Sequence, residues 1–96
     1  MLDNLWIEEK NNILRIGVNE VFQEEAGDIA YVSIADLGEI KEDDTLFNVE
    51  AAKAAIEVPS PFSGRVVARN DQAELKPSML NSSEKEDNWV VEIQRS

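Results

Sequence analysis

Short runs in which apolar and polar residues alternate make up most of the chain, and each such run predicts a β-strand. The first two, LWI at 5–7 and NILRIGV at 12–18, are joined by the polar EEKNN and predict a hairpin. Further alternating runs are DIAYVSIADLG (28–38), TLFNVE (45–50), GRVVAR (64–69) and NWVVEIQ (88–94). The charged EIKEDD (39–44) predicts a turn, and 70–87 predicts a long loop before the last strand.

One segment, NEVFQEEAG at 19–27, instead has apolar residues at helical spacing. Asn19 can cap the first turn, and Gly27 supplies a left-handed stop, so we expect one helix of about two turns. Many short strands with a single short helix predict a mainly β fold, a small sandwich or flattened barrel. Two glycine-led strands, beginning at Gly27 and Gly64, form a faint repeat and suggest two quasi-repeated halves.

The segment VEAAKAAIEVPSPFSG (49–64) joins these halves. Alanine favours helix, but AAKAA is too short to form one between strand signals. Pro59 and Pro61 remove backbone donors, so EVPSP can only be an edge strand or an extended connection. Lys53 is therefore expected at the tip of a hairpin, among small residues that leave its side chain projecting and accessible, with Glu50 three positions earlier.

The composition sets the class of protein. Ninety-six residues make one domain, residues 1–96. The chain has no histidine and no cysteine, so the usual acid/base and nucleophilic groups at neutral pH are absent, and so are thiolate metal ligands. Carboxylate pairs remain, but so short a chain leaves little room for a substrate cleft beside a core. A self-sufficient enzyme is disfavoured, and the acidic EKED at 84–87 lacks metal-ligand spacing.

The net charge of −11 restricts the classes of partner that we expect. It repels polyphosphate, so nucleic acid and anionic membranes are not expected partners. The charge serves solubility, or steers the protein towards basic patches on partner proteins. The N-terminal residues have neither a basic region nor an apolar run, and no segment approaches the roughly 20 apolar residues of a membrane span. We therefore expect a soluble cytoplasmic protein.

The lysine segment carries a resemblance to a known family. The sequence Glu50-Ala51-Ala52-Lys53-Ala54 is followed by a proline eight residues after the lysine and by Ser63-Gly64 at ten and eleven. This pattern resembles the Glu-Ser-Val-Lys-Ala motif of the glycine cleavage system H-protein family, within the biotinyl/lipoyl carrier domains. The similarity runs from about residue 5 to 93 and includes KPSMLN before the last strand. It implies a barrel-sandwich hybrid fold.

The resemblance implies a lipoyl carrier that is not itself catalytic. Lys53 would carry covalent lipoate and act as a swinging arm for an aminomethyl intermediate and reducing equivalents. The implied partners are glycine decarboxylase, aminomethyltransferase, dihydrolipoyl dehydrogenase and a lipoate ligase or transferase, visited by a monomer. Glu50 would be recognised by the lipoylating enzyme, and Gly64 would have a structural role, allowing the close backbone approach that pairs the two halves.

Departures from the family pattern leave alternatives open. Ala51 and Ala52 replace the usual Ser and Val, and the family's chain continues as helix beyond the last strand, so we expect a domain without that extension. A compact H-like lipoyl scaffold, serving a lipoate relay or an ADP-ribosylation-linked module, is one alternative. A biotin carrier is another, although biotin acceptors set their lysine between methionines. An unmodified interaction module is the third.

Overall fold

The computed structural model describes residues 3–95, and eight β-strands dominate it. In chain order the elements are β1 Leu5–Lys10, β2 Ile13–Val18, α1 Glu20–Ala26, β3 Ile29–Ile34, β4 Gly38–Ile40, β5 Thr45–Ala51, β6 Ala55–Pro59, β7 Gly64–Arg69, α2 Asp71–Leu75, a 3₁₀-helix Pro77–Asn81, α3 Lys85–Asn88 and β8 Trp89–Arg95. The predicted mainly β class is confirmed. The stretch predicted as a long loop differs, because it contains α2, the 3₁₀-helix and α3.

The strands form two antiparallel sheets that enclose the core. One sheet has five strands in the order β1-β2-β8-β7-β4, and the other has three in the order β3-β5-β6. The glycine-led strands β3 and β7 lie in different sheets. Alternation turns one face of each sheet inward. The largest fully buried side chains are those of Phe22, Phe47, Ile16, Leu46, Leu80 and Ile93. Phe22 of α1 packs against Phe47 of β5 with ring centroids 6.1 Å apart.

The first hairpin is tighter than predicted. Only Asn11 and Asn12 form its turn, with φ angles of 53° and 67°, and Lys10 pairs directly with Ile13. Two consecutive left-handed residues are the requirement of a type I′ turn, which asparagine tolerates. The polar residues 8–10, predicted as connection, therefore belong to β1 as a solvent-facing end of the strand.

Helix α1 matches its predicted limits. The Asn19 side chain accepts a hydrogen bond from the Phe22 amide at 3.2 Å, and Gly27 ends the helix with φ 73°. After it, β3 departs from simple alternation. The pairing of β3 with β5 shifts register between Ile29 and Tyr31, so Ile29 and Val32 are both buried while Tyr31 is 52% exposed. A bulge of this kind cannot be read from a period of two.

The predicted turn at 39–44 is shorter in the structure. Glu39 and Ile40 belong to β4, where they pair with Arg65 and Gly64 of β7. Ile40 is buried, which explains why this charged stretch contains an apolar residue. The chain reverses only after Ile40, in a turn over 41–44 held by hydrogen bonds between Lys41 and Asp44.

Candidate functional site

Lys53 lies at the end of the β5–β6 hairpin, as the sequence predicts. Glu50 pairs with Ala55, and the Ala51 amide donates to the Ala54 carbonyl at 3.0 Å. Only Ala52 and Lys53 remain between these bonded residues, and we call them the hairpin tip. The alanines do not form a helix because the strands on both sides of them, β5 and β6, pair with each other. β6 is an outer strand, in agreement with the prediction from Pro59.

Backbone hydrogen bonds fasten the hairpin tip to the end of α1. The Ala52 amide donates to the Asp28 carbonyl, and the Lys53 amide donates to the Ala26 carbonyl, both at 2.9 Å. The acceptors belong to residues 26–29, which we call the α1–β3 turn. Both amides of the tip are therefore bonded to a neighbouring element. The base of the lysine side chain is held in place on the body of the domain.

The Lys53 side chain lies along the C-terminal end of α1. Its Nζ donates to the Glu24 carbonyl at 3.3 Å, and a Cβ built on Gly27 would lie 3.0 Å from Lys53 Cγ. The last carbonyls of a helix lack partners within the helix and carry partial negative charge, so they attract an ammonium group. The predicted projection away from the body is therefore wrong for this conformation. The side chain is nevertheless exposed, and Nζ remains accessible.

Glu50 lies on the same hairpin as Lys53 and faces solvent from β5. It contributes to an open groove on the outer face of the three-stranded sheet, lined also by Tyr31, Ser33, Asn48, Ala55 and Glu57. Within residues 3–95 no salt bridge engages its carboxylate. An exposed carboxylate that forms no internal salt bridge is available to bind a second protein.

Gly64 lies in the other sheet, so it is not part of the lysine site. It is buried at the start of β7, where it pairs with Ile40 of β4 on one side and Arg95 of β8 on the other. A Cβ at this position would run into the backbone carbonyl oxygen of Gln94 and lie 2.9 Å from Ile93 Cγ2. These contacts support a structural role within the five-stranded sheet, since β7 and β8 could not pair so closely around a side chain at this position.

The sequence prediction missed two residues beside the lysine. Glu24 provides the carbonyl that accepts from Nζ, and Gly27, expected only to end the helix, also forms the surface under the lysine stem. Neither role has a signal in the local pattern, because both depend on packing between segments distant in sequence. From the sequence, a helix-ending glycine shortly before a strand predicts that a turn exists, but not which residues pack against that turn.

The chemistry open to this site is that of an exposed primary amine. Within residues 3–95 there is no group of three or more His, Cys, Asp and Glu side chains that could hold a metal ion. No helix in the same range is long and apolar enough to cross a bilayer. The lysine nitrogen can accept an acyl group from another enzyme, and the anchored tip then holds that group at the surface.

Fold and site together define a carrier domain of the biotinyl/lipoyl type, a small two-sheet β domain with a lysine on a fixed hairpin. The glycine cleavage H-protein family model matches residues 2–96. The glycine cleavage system H protein of Oceanobacillus iheyensis is 38% identical over 92 residues, which are 95% of this chain and 73% of that protein. The chain belongs to the glycine cleavage H-protein family, a carrier component of the glycine cleavage system. The family predicted from the sequence is thereby confirmed.

Two further comparisons bear on the domain. The glycine cleavage system H-like protein of Staphylococcus aureus is 34% identical over 89 residues, 93% of this chain and 81% of that protein. The crystal structure of a glycine cleavage system H protein from Mycobacterium marinum superimposes with a TM-score of 0.88 at 22% identity, covering 100% of this chain and 81% of that one. The latter shows the same fold and confirms the predicted barrel-sandwich class.

Proposed function

We propose that this protein is a lipoyl carrier of the glycine cleavage system, with lipoate attached by an amide bond to Nζ of Lys53. The observation that carries the proposal is the exposed amine at the end of a hairpin whose tip is bonded to the α1–β3 turn. Family membership supplies the pathway. The domain itself is non-catalytic in this proposal, and the chemistry belongs to the enzymes it visits.

Attachment fits the residues around Lys53. Acylation requires a neutral amine, so Nζ must leave the Glu24 carbonyl and lose its proton before it attacks the activated carboxyl of the lipoyl group. The new C–N bond replaces the bond between the acyl carbon and the activating group, which leaves with the ligase or transferase. The amide that forms carries no charge, so the attraction to the end of α1 is weakened. Bound lipoate supplies the two redox-active sulfurs that a chain without cysteine lacks. The modified side chain then has less reason to stay on α1.

The anchored tip explains why such a domain can act as a carrier. A tethered group reaches its partners at an effective concentration set by the length and stiffness of its tether. Because the tip amides are bonded to Asp28 and Ala26, flexibility is confined to the side chain and its attached group. The volume searched is smaller than it would be from a mobile loop, and the local concentration is correspondingly higher.

We assign the other site residues and partners within the same proposal. Glu50 is the residue recognised by the lipoate ligase or transferase, and Gly64 maintains the fold. Lys53 would hold the lipoyl group, whose sulfurs would carry an aminomethyl group from glycine decarboxylase to aminomethyltransferase and reducing equivalents to dihydrolipoyl dehydrogenase. The carrier works as a cytoplasmic monomer, and its net charge of −11 favours partners with basic docking surfaces.

A second function is favoured by one comparison. The relatives with which the chain shares 34–38% identity include the staphylococcal H-like protein as well as the H protein of Oceanobacillus. This supports the alternative of a compact H-like lipoyl scaffold for another pathway. Both functions require acylated Lys53, so only the enzymes with which the acylated protein works distinguish one function from the other.

The attachment is tested by intact-mass measurement. The protein is produced in lipoate-fed cells together with a lipoate ligase, and we expect one lipoyl adduct that disappears in Lys53→Ala. Lys41→Ala, which removes another exposed lysine, is the matched control and should retain the adduct. A wild-type mass equal to that of the bare chain would refute the carrier function.

The pathway is tested by reconstitution. The acylated protein is mixed with glycine decarboxylase, aminomethyltransferase and dihydrolipoyl dehydrogenase, and glycine-dependent reduction of the dehydrogenase's acceptor is followed. Turnover that requires acylated Lys53 would support glycine cleavage. An acylated protein that gives no turnover with active enzymes would favour the H-like scaffold.

A further inference from the structure

Asn81 spans the α1–β3 turn with both ends of its side chain. Its Oδ1 accepts a hydrogen bond from the Ile29 amide, and its Nδ2 donates to the Gly27 carbonyl, both at 2.9 Å. Asn81 is the last residue of the 3₁₀-helix, more than fifty positions away in sequence. An asparagine amide is suited to this geometry because it offers a donor and an acceptor side by side.

The same turn holds the hairpin tip on its other side. The carbonyls of Ala26 and Asp28 accept from Lys53 and Ala52, while the carbonyl of Gly27 and the amide of Ile29 face Asn81. Four hydrogen bonds therefore meet in residues 26–29, two towards the hairpin tip and two towards Asn81. The position of the tip depends on the shape of a turn that Asn81 fixes.

Asn81 is itself held firmly. The Gln23 side chain, on α1, donates from Nε2 to the Leu80 carbonyl at 2.9 Å and to the Ser82 carbonyl at 2.7 Å. The Leu80 side chain is fully buried in the core. The residues on both sides of Asn81 are thus bonded to α1, and the side chain has a fixed base from which to hold the turn.

The turn needs this support because its backbone is unusual. Gly27 has φ 73° and ψ −153°, a conformation that only glycine adopts readily. Glycine also has the largest conformational freedom to lose, so a glycine turn without partners opens easily. Without the Asn81 side chain, a partly buried carbonyl and amide would lose their partners, and reaching water requires the turn to move.

We infer that Asn81 is a positioning residue for Lys53, which fixes the α1–β3 turn and thereby holds the hairpin tip for acylation and for presentation of the attached group. The acylation part of this inference rests on the proposed function. The positioning part is independent of it and concerns the tip alone.

The first test measures amide hydrogen exchange at Ala52 and Lys53. In Asn81→Ala we expect exchange at both amides to be about tenfold faster than in the wild type, because their acceptors move with the turn. Asn70→Ala is the matched control. Asn70 lies in the same connection and donates to the carbonyls of Asp87 at 3.1 Å and Trp89 at 2.8 Å, neither of which belongs to the hairpin tip or to the α1–β3 turn. It should destabilise the domain without a selective effect on the tip.

The second test measures acylation by purified lipoate ligase. We expect Asn81→Ala to raise KM about threefold or more with little change in kcat, because a mobile tip presents Lys53 less often in the bound geometry. Asn70→Ala should retain wild-type KM below its unfolding transition. Asn81→Asp keeps the acceptor for Ile29 and should give intermediate values, and it replaces Asn81→Ala should that variant not fold.

Unchanged tip exchange in a folded Asn81 variant would overturn the inference, as would equal effects in the Asn70 variant. Faster tip exchange with unchanged KM would overturn its acylation part. A wild-type protein that no ligase acylates, combined with faster tip exchange in Asn81→Ala, would refute the proposed function and support the positioning role. The two failures are therefore distinguishable.

Discussion

Gly64→Ala tests the close approach of β7 to β8 in the five-stranded sheet. The substitution adds one methyl group at the start of β7, in a residue paired on both sides within the five-stranded sheet. The new Cβ would lie 2.9 Å from Ile93 Cγ2 and closer still to the carbonyl oxygen of Gln94. A side chain can rotate away, but the Gln94 carbonyl belongs to the backbone of β8 and can yield only if that strand shifts.

The expected cost follows from these contacts. Inserting a methyl into a packed interior costs about 1–3 kcal/mol, and an obstacle made of backbone places this site near 3 kcal/mol. Alanine restricts the unfolded chain more than glycine does, which offsets about 0.7 kcal/mol. The free energy of unfolding should fall by about 2 kcal/mol. For a domain of this size that corresponds to a decrease in Tm of about 8–16 °C.

Thermal unfolding followed by circular dichroism measures this change. Arg65→Ala is the matched control, since Arg65 is the next residue of β7 and is exposed, so its loss should alter stability by no more than about 0.5 kcal/mol. A Gly64→Ala variant whose Tm lies within about 3 °C of the wild type would refute the close-approach argument. Acylation is also measured at about 10 °C, well below the unfolding transition. If folded Gly64→Ala is acylated more slowly than the wild type there, Gly64 has a role beyond the fold.

Two further predictions concern recognition and the five-stranded sheet. Glu50→Gln should lower the initial rate of Lys53 acylation about tenfold at unchanged Tm, because a neutral amide replaces a charge-assisted contact to the ligase; Glu39→Gln, an exposed control in β4, should keep the wild-type rate. Trp6→Phe removes the donor that reaches Asn88 Oδ1 at 2.8 Å and should lower the free energy of unfolding by about 1 kcal/mol in urea titrations. Full additivity with Asn88→Ala would contradict a direct bond between the two side chains.

The strands were predictable because their pattern is local. In TLFNVE burial alternates from Phe47 to Glu50, as the sequence predicts, whereas Leu46 is buried as well, beside a register shift in the pairing with β6. Asn19 and Gly27 mark the limits of α1 as actual caps. The hairpin at Lys53 followed from strand signals on both sides and from the proline at 59. These features depend on residues within a few positions of each other, so the sequence contains what determines them.

The remaining features depend on long-range packing. The sequence predicts a longer polar connection around Asn11 and Asn12, since the polar residues at the end of β1 resemble a loop until their pairing with β2 is known. The sequence assigns Ile40 to a charged turn, because no residue near it in the sequence indicates its pairing with Gly64. The helical segments between 70 and 88 have weak local signals and are fixed by contacts with α1, β3 and β8.

The same limit applies to the site. The motif around Lys53 identified the lysine, but it did not indicate that the side chain would lie on α1 or that Asn81 would bond the turn beneath it. Both facts join segments separated by more than twenty residues. A motif predicts which residue is modified, whereas the orientation of that residue is determined by neighbours that the motif does not include.

The hydrogen bonds at the two ends of β3 also bear on aggregation. β3 is an outer strand, and the unpaired amides of such a strand can template the addition of a strand from another molecule. Here the Ile29 amide is bonded to Asn81 and the Ile34 amide to Glu74, while Arg69 donates to the Ile34 carbonyl. These side chains occupy the backbone groups to which a strand of another molecule would bond. The segment that follows β7 therefore protects the edge of β3 against strand addition. A carrier that visits several enzymes, as proposed here, benefits from an edge that does not pair with copies of itself.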